Sequence, residues 1–87
     1  MSWKFELLMK PEGELITEGP VWTGDDILFT HIRKSRILRY DFKSGEISVW
    51  RENTNRTNGL CFDSHGTLFG CCSGGRSIVR FDADRKN

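Results

Sequence analysis

The chain has 87 residues, 37% hydrophobic and 29% charged, with 13 basic and 12 acidic side chains and a formal net charge of +1. That length allows one small domain, and the composition is ordinary for a globular chain. No basic stripe suits nucleic acid or an anionic membrane, and no apolar run is long enough to span a bilayer, so neither partner is expected.

From Trp3 to Met9 aromatic and aliphatic residues alternate imperfectly, which predicts a strand. Pro11-Glu12-Gly13 breaks it, and Leu15-Ile16-Thr17 leads into the next element. The N-terminus lacks the basic-then-apolar layout of a signal peptide, so a cytoplasmic protein is expected. Pro20-Val21-Trp22 reads as a short strand and Thr23-Gly24-Asp25-Asp26 as a turn. Ile27 to His31 and Arg36 to Tyr40 read as strands joined by the polar Arg33-Lys34-Ser35. After a turn at Phe42-Lys43-Ser44-Gly45, Glu46 to Trp50 alternates polar and apolar residues, the mark of a half-exposed outer strand. Arg51 to Thr57 is a polar connector. Leu60 to Phe62, Thr67 to Cys71 and Ser77 to Phe81 then read as three further strands, with turns at Asp63-Ser64-His65-Gly66 and Ser73-Gly74-Gly75-Arg76. No helix is expected.

The second half repeats the first. Gly19 falls on Gly59, Leu28 on Leu68 and Phe29 on Phe69 at an offset of 40, while Ile37 falls on Ile78, Arg39 on Arg80 and Asp41 on Asp82 at 41. A period near 40 with several strands per unit is the signature of propeller blades. The expected fold is therefore all-β, a fragment of about two blades of a β-propeller. Residues 1–16 supply an N-terminal strand and connector, 17–57 a first blade and 58–87 a second, incomplete one. A propeller ring needs roughly four to eight blades. The chain is accordingly expected to be the N-terminal part of a longer protein, and its open strand edges are expected to favour self-association.

The repeat places Glu18 and Asn58 at one structural position in neighbouring blades, each opening an innermost strand at the channel mouth. A carboxylate and an amide oxygen converging there suit Ca²⁺ or Mg²⁺. The bland readings are a solvated Glu18 and a hairpin turn at Asn58-Gly59. The apolar strand after Asn58 and the repeat phase argue for the ligand reading. Arg56, in a polar connector, would by itself be simply solvated.

The stretches Glu18-Gly19-Pro20-Val21-Trp22, Arg56-Thr57-Asn58-Gly59-Leu60, and Phe62-Asp63 with Gly66 and Leu68 resemble the senescence marker protein / gluconolactonase / luciferin-regenerating enzyme family. The three motifs come in family order and the likeness covers roughly Thr17 to Asp82. It implies a six-bladed propeller with a divalent metal in its channel, most often Ca²⁺, with Mg²⁺, Zn²⁺ or Mn²⁺ as alternatives. It implies hydrolysis of sugar lactones or related esters. Glu18 would be a metal ligand, and Arg56 and Asn58 would contact the small-molecule substrate. The remaining Asn and Asp ligands, the Asp being the group for water activation, would lie beyond Asn87. No catalytic residue is therefore assigned within the chain, and it is expected to be inactive alone. The rival reading is a non-catalytic propeller-type binding or interaction segment.

Other residues carry plainer expectations. His31 reads as a surface or satisfied core histidine and His65 as solvated. Asn55-Arg56-Thr57 matches a glycosylation sequon that means little without a secretory signal. Trp22 and Trp50 read as packing between blades. Cys61, Cys71 and Cys72 form no C-x-x-C pair and read as buried small hydrophobes, with a vicinal Cys71-Cys72 disulfide as the minor alternative.

Overall fold

A computed structural model describes residues 6–8 and 17–81. Within them the chain is all-β, built from two antiparallel sheets. The first sheet contains β1 (Thr17–Trp22), β2 (Asp26–His31), β3 (Arg36–Asp41) and β4 (Ile47–Glu52), in that spatial order. The second contains β5 (Thr57–Phe62), β6 (Leu68–Cys72) and β7 (Ser77–Phe81), again in sequence order. This meander of neighbouring strands is the grammar of a propeller blade. The expected N-terminal strand lies outside the described residues except at Glu6 to Leu8, which are not in a strand. No described helix is long and apolar enough to cross a membrane.

Local sequence explains the turns. Asp41 folds its carboxylate onto the N–H groups of Lys43 and Ser44, at 2.8 and 3.3 Å, and so closes the β3–β4 turn. Asp63 does the same for His65 and Thr67 between β5 and β6. The Arg33-Lys34-Ser35 connection is tighter than a plain polar loop. Ile32–Lys34 form one turn of 3-10 helix, closed by Ser35 at φ 49°.

The sheets stack face to face through a core of Leu28, Ile37 and Leu68, against which Val21, Trp50, Leu60, Phe62 and Phe81 pack. Val21, Leu28, Ile37 and Trp50 come from the first sheet; Leu60, Phe62, Leu68 and Phe81 come from the second. Trp50 meets Phe81 edge-on at 6.1 Å, and the Arg51 guanidinium lies over both rings at 4.9 and 5.5 Å. Gly70 leaves room here. A Cβ on it would stand 2.7 Å from the Thr57 methyl and 2.9 Å from the Phe81 ring.

Strand pairing corrects the repeat alignment. Trp22 pairs with Ile27 across four intervening residues, and Phe62 pairs with Leu68 across five. The second turn is one residue longer, so β2 maps on β6 at an offset of 41. Leu28 therefore matches Phe69, and Ile27 matches Leu68. A slip of one residue reverses the face of every side chain. Leu28 accordingly faces the second sheet, whereas Leu68 faces back toward the first. In β3 and β7 the expected offset of 41 holds, because Ile27 pairs with Tyr40 where Leu68 pairs with Phe81.

Two further expectations change. Trp22 does not pack between the described sheets; it lies on the outer face of the first, 56% exposed, against Phe42 at 5.5 Å. Of the cysteines only Cys72 is buried, all three are free, and Cys61 and Cys71 are exposed on the outer face of the second sheet. Their alternation explains this, since Cys61 pairs directly with Phe69, two residues before Cys71 on the same strand.

Candidate functional site

β1 and β5 meet at the seam between the sheets, and the site is built where they begin. Each strand carries a bulge at the same repeat position, between Glu18 and Val21 in one and between Thr57 and Leu60 in the other. Bulges bend a strand and redirect its side chains. Here the bends contain Gly19 and Gly59. Gly19 has a φ of 54°, and a Cβ on it would run into the Asn58 carbonyl oxygen and crowd the Gly59 Cα. Glycine thus meets two demands at once, the left-handed backbone and the close approach of β1 to β5.

Glu18 and Asn58 are consequently brought to adjacent positions on neighbouring inner strands, and both are exposed. Among the described residues, the one hydrogen bond to the Glu18 carboxylate comes from the Gly19 N–H, 2.8 Å from Oε2. The Glu18 carbonyl is held separately by the Thr30 hydroxyl at 2.9 Å. Thr30 is wholly buried, so this bond fixes the backbone that presents the carboxylate. Asn58-Gly59 is not a hairpin turn but the opening of β5.

Arg56 stands at the end of a tightly held connector. Asn53, Asn55 and Arg56 all have positive φ, 56°, 52° and 56°. Asparagine accepts that region readily; arginine does not. The Arg56 N–H donates to the Ser35 hydroxyl at 3.2 Å, and its carbonyl accepts from the Ser73 N–H at 3.1 Å and hydroxyl at 2.7 Å. Below it, the buried Thr57 hydroxyl donates to the Thr54 carbonyl at 2.6 Å and touches the Cys72 sulfur at 3.0 Å. The Arg56 side chain itself is exposed. Backbone strain of this kind persists only where the surroundings over-determine it, and it gathers at functional sites.

The donor set suits a hard cation as a partial shell, one carboxylate and one amide on the same rim. No cluster of three or more His, Cys, Asp or Glu occurs among the described residues. His31 ends β2 at the same end of the sheet, paired with Thr17 beside Glu18. It is buried, its Nδ1 accepts from Arg36 Nε at 3.0 Å, and burial followed by the Arg36 and Lys34 cations holds its pKa below the ordinary 6.5. His65 is exposed in the β5–β6 turn. Sequence reasoning missed Thr30, Ser35 and Ser73, which position the rim. Ser73 sat in a recognisable Ser-Gly-Gly turn; nothing in the sequence singled out the other two.

An open cleft of about 450 Å³ adjoins Glu18 on the outer face of the first sheet, lined by Leu8, Thr17, Pro20, Ile27, Phe29 and Tyr40. No family model and no curated protein matches the chain. Among solved structures it is similar to a gluconolactonase from Xanthomonas campestris, described as important in secondary pathways of glucose metabolism. That match has 30% identity and a TM-score of 0.74, over 80% of this chain and 24% of that one. It is also similar to a structural-genomics target assigned to the gluconolactonases, at 27% identity and a TM-score of 0.71, over 87% of this chain and 26% of that one. The chain thus spans about a quarter of the length of either. The shared blade architecture, together with this identity over most of the chain, makes it similar to a two-sheet portion of the gluconolactonase-like β-propellers.

Proposed function

We propose that the chain supplies part of the active-site rim of a metal-dependent hydrolase acting on sugar lactones or related esters. The observation that carries this reading is the juxtaposition of Glu18 and Asn58, held by the Gly19 contact with the Asn58 backbone. The likeness to gluconolactonases supports the reaction class. Glu18 would be the carboxylate ligand of a divalent ion, most simply Ca²⁺, with Asn58 beside it. The bound ion would supply electrostatic stabilisation of negative charge developing on a lactone carbonyl oxygen.

The chain's own residues would bind and orient. The Arg56 guanidinium offers a fork of donors to lactone hydroxyl or ring oxygens. The Asn58 amide offers one acceptor and two donors, enough to fix a polyhydroxylated ring in one pose. The left-handed backbone of Arg56, clamped by Ser35 and Ser73, would hold that fork at a set height above the rim. The free thiols of Cys61, Cys71 and Cys72 support a reducing, cytoplasmic setting for this chemistry.

The test is gluconolactone hydrolysis, followed by pH-stat with the longest natural product of the gene. Hydrolysis above the spontaneous rate, dependent on added divalent cation and cut by about 10²-fold or more in Glu18→Gln, is the expected result. Hydrolysis insensitive to that substitution and to chelator would sink the proposal. Cation and sugar binding without turnover would leave a binding module in its place.

A further inference from the structure

Charge is sorted between the two ends of the sheets. The strands alternate in direction, so their connections alternate between the rim that carries Glu18 and Asn58 and the opposite end. The rim connections are residues 32–35, 53–56 and 73–76. They hold Arg33, Lys34, Arg56 and Arg76, and no acidic residue. The opposite connections, 23–25, 42–46 and 63–67, hold Asp25, Glu46 and Asp63 against Lys43 alone. A chain whose formal net charge is only +1 thus has a cationic rim and an acidic far end.

The rim connections are also tied to one another. The Thr54 N–H donates to the Ser35 carbonyl at 2.9 Å, and the Arg56 N–H to the Ser35 hydroxyl at 3.2 Å. The Gly74 N–H donates to the Asn55 carbonyl at 3.2 Å, beside the Ser73 bonds to Arg56. This lacing gathers four exposed cations around the openings of β1 and β5 against their mutual repulsion. Among the described residues, none of these four side chains forms a hydrogen bond or an ion pair. A cleft of about 380 Å³ adjoins Asn58, with Ser73, Arg76 and Ser77 in its lining.

We propose that this rim selects sugars bearing a further negative charge, a phosphate ester or a carboxylate, over neutral ones. The inference rests on the hydrolase reading and names its substrate class as anionic sugar lactones. A guanidinium fork suits either oxyanion. Arg76, in the cleft beside Asn58, takes the charged substituent while Asn58 and Arg56 hold the ring. Arg33 and Lys34 touch no ligand; their field draws the anion toward the rim. Four cations in three short connections are too local to track a nucleic-acid backbone, and they suit one small anion.

The test is titration calorimetry on the longest natural product of the gene, with EDTA present so that no bound metal attracts the anion. The probes are glucose 6-phosphate, glucuronate and glucose. At about 20 mM salt one of the anionic sugars should bind about tenfold or more tighter than glucose, and about 500 mM salt should erase most of that advantage. The tighter of the two identifies the charged group. Arg76→Gln should cut the advantage about threefold or more and leave glucose binding unchanged. Arg33→Gln should cut it less, and only at low salt. Asp25→Asn, a charge change of the same size at the far end, should leave it unaltered. Anionic sugars binding no tighter than glucose, an advantage indifferent to both arginine substitutions, or one that inorganic phosphate alone matches overturns the proposal. Failure of the hydrolase reading looks different. Neither gluconolactone nor its 6-phosphate is then turned over, while the anionic preference in binding persists and upholds the selection by charge.

Discussion

Gly19 carries two constraints in one residue, a positive φ and a backbone contact with Asn58 that leaves no space for a Cβ. Gly19→Ala should therefore cost at least about 2 kcal/mol in urea unfolding, from left-handed strain together with overpacking. A change within 0.5 kcal/mol would show that β1 and β5 do not approach so closely. Arg56 gives the opposite sign. Arg56→Gly relieves the left-handed backbone and should stabilise the fold by about 1 kcal/mol while weakening sugar-lactone binding. His31 sets a pH dependence. Its pKa is depressed in the fold, so the unfolded chain binds the proton more tightly. The contribution of the neutral imidazole is complete above 6.5 and is lost as pH falls from there through the folded value. Urea midpoints should accordingly fall on acidification from neutrality, and His31→Gln should flatten that slope. An unchanged slope would remove His31 as its source.

At the scale of elements, the bulges of β1 and β5 hold the rim, and Thr30 ties the first of them down. Thr30→Val preserves shape but frees the Glu18 carbonyl, at a cost of about 1 kcal/mol. If a divalent cation binds the chain, its affinity should weaken in the same variant by calorimetric titration, although the lost hydroxyl touches no ligand. The strands themselves were legible in the sequence because period-2 alternation and turn chemistry agree there. Ser77–Phe81 was found with its observed ends, and Arg36 to Tyr40 missed its last residue by one. The starts of β1 and β5 were read late. Bulged strand ends such as Thr17–Gly19 and Thr57–Gly59 lose the alternation that marks a strand. The facing of Leu28 and Leu68 was not legible at all. Both copies carry the dipeptide Leu-Phe, and only the lengths of the two turns decide which residue of each pair points inward. Glu18 and Asn58 could be paired from repeat phase alone. The left-handed Arg56 could not be foreseen, because its conformation is imposed by Ser35 and Ser73, from a preceding turn and a following one.

At the largest scale, the described residues form two stacked sheets with one completed seam, and their outward-facing residues repeat its halves. That geometry separates residues of the same chemical kind by context. Ile37 lies at the centre of the seam, and Ile37→Ala should cost about 2–5 kcal/mol through the cavity left behind. Ile78 occupies the equivalent place on the open face, and under conditions where the chain is monomeric Ile78→Ala should change stability by less than about 0.5 kcal/mol. Chemical denaturation of both variants at matched low concentration checks the contrast. Equal losses would mean that the Ile78 face is covered within a single chain.

The extra residue in the β5–β6 turn bears on any attempt to build an idealised blade from this protein. Averaging the two copies at a fixed period would align Leu28 with Leu68 and place leucine where one copy looks forward and the other looks back. A consensus made that way would mix two opposite surfaces at every position of the second strand. With a single gap after Trp22, the copies superpose as Leu28 on Phe69 and Ile37 on Ile78, and a tandem array of that unit would present the same forward face at each junction.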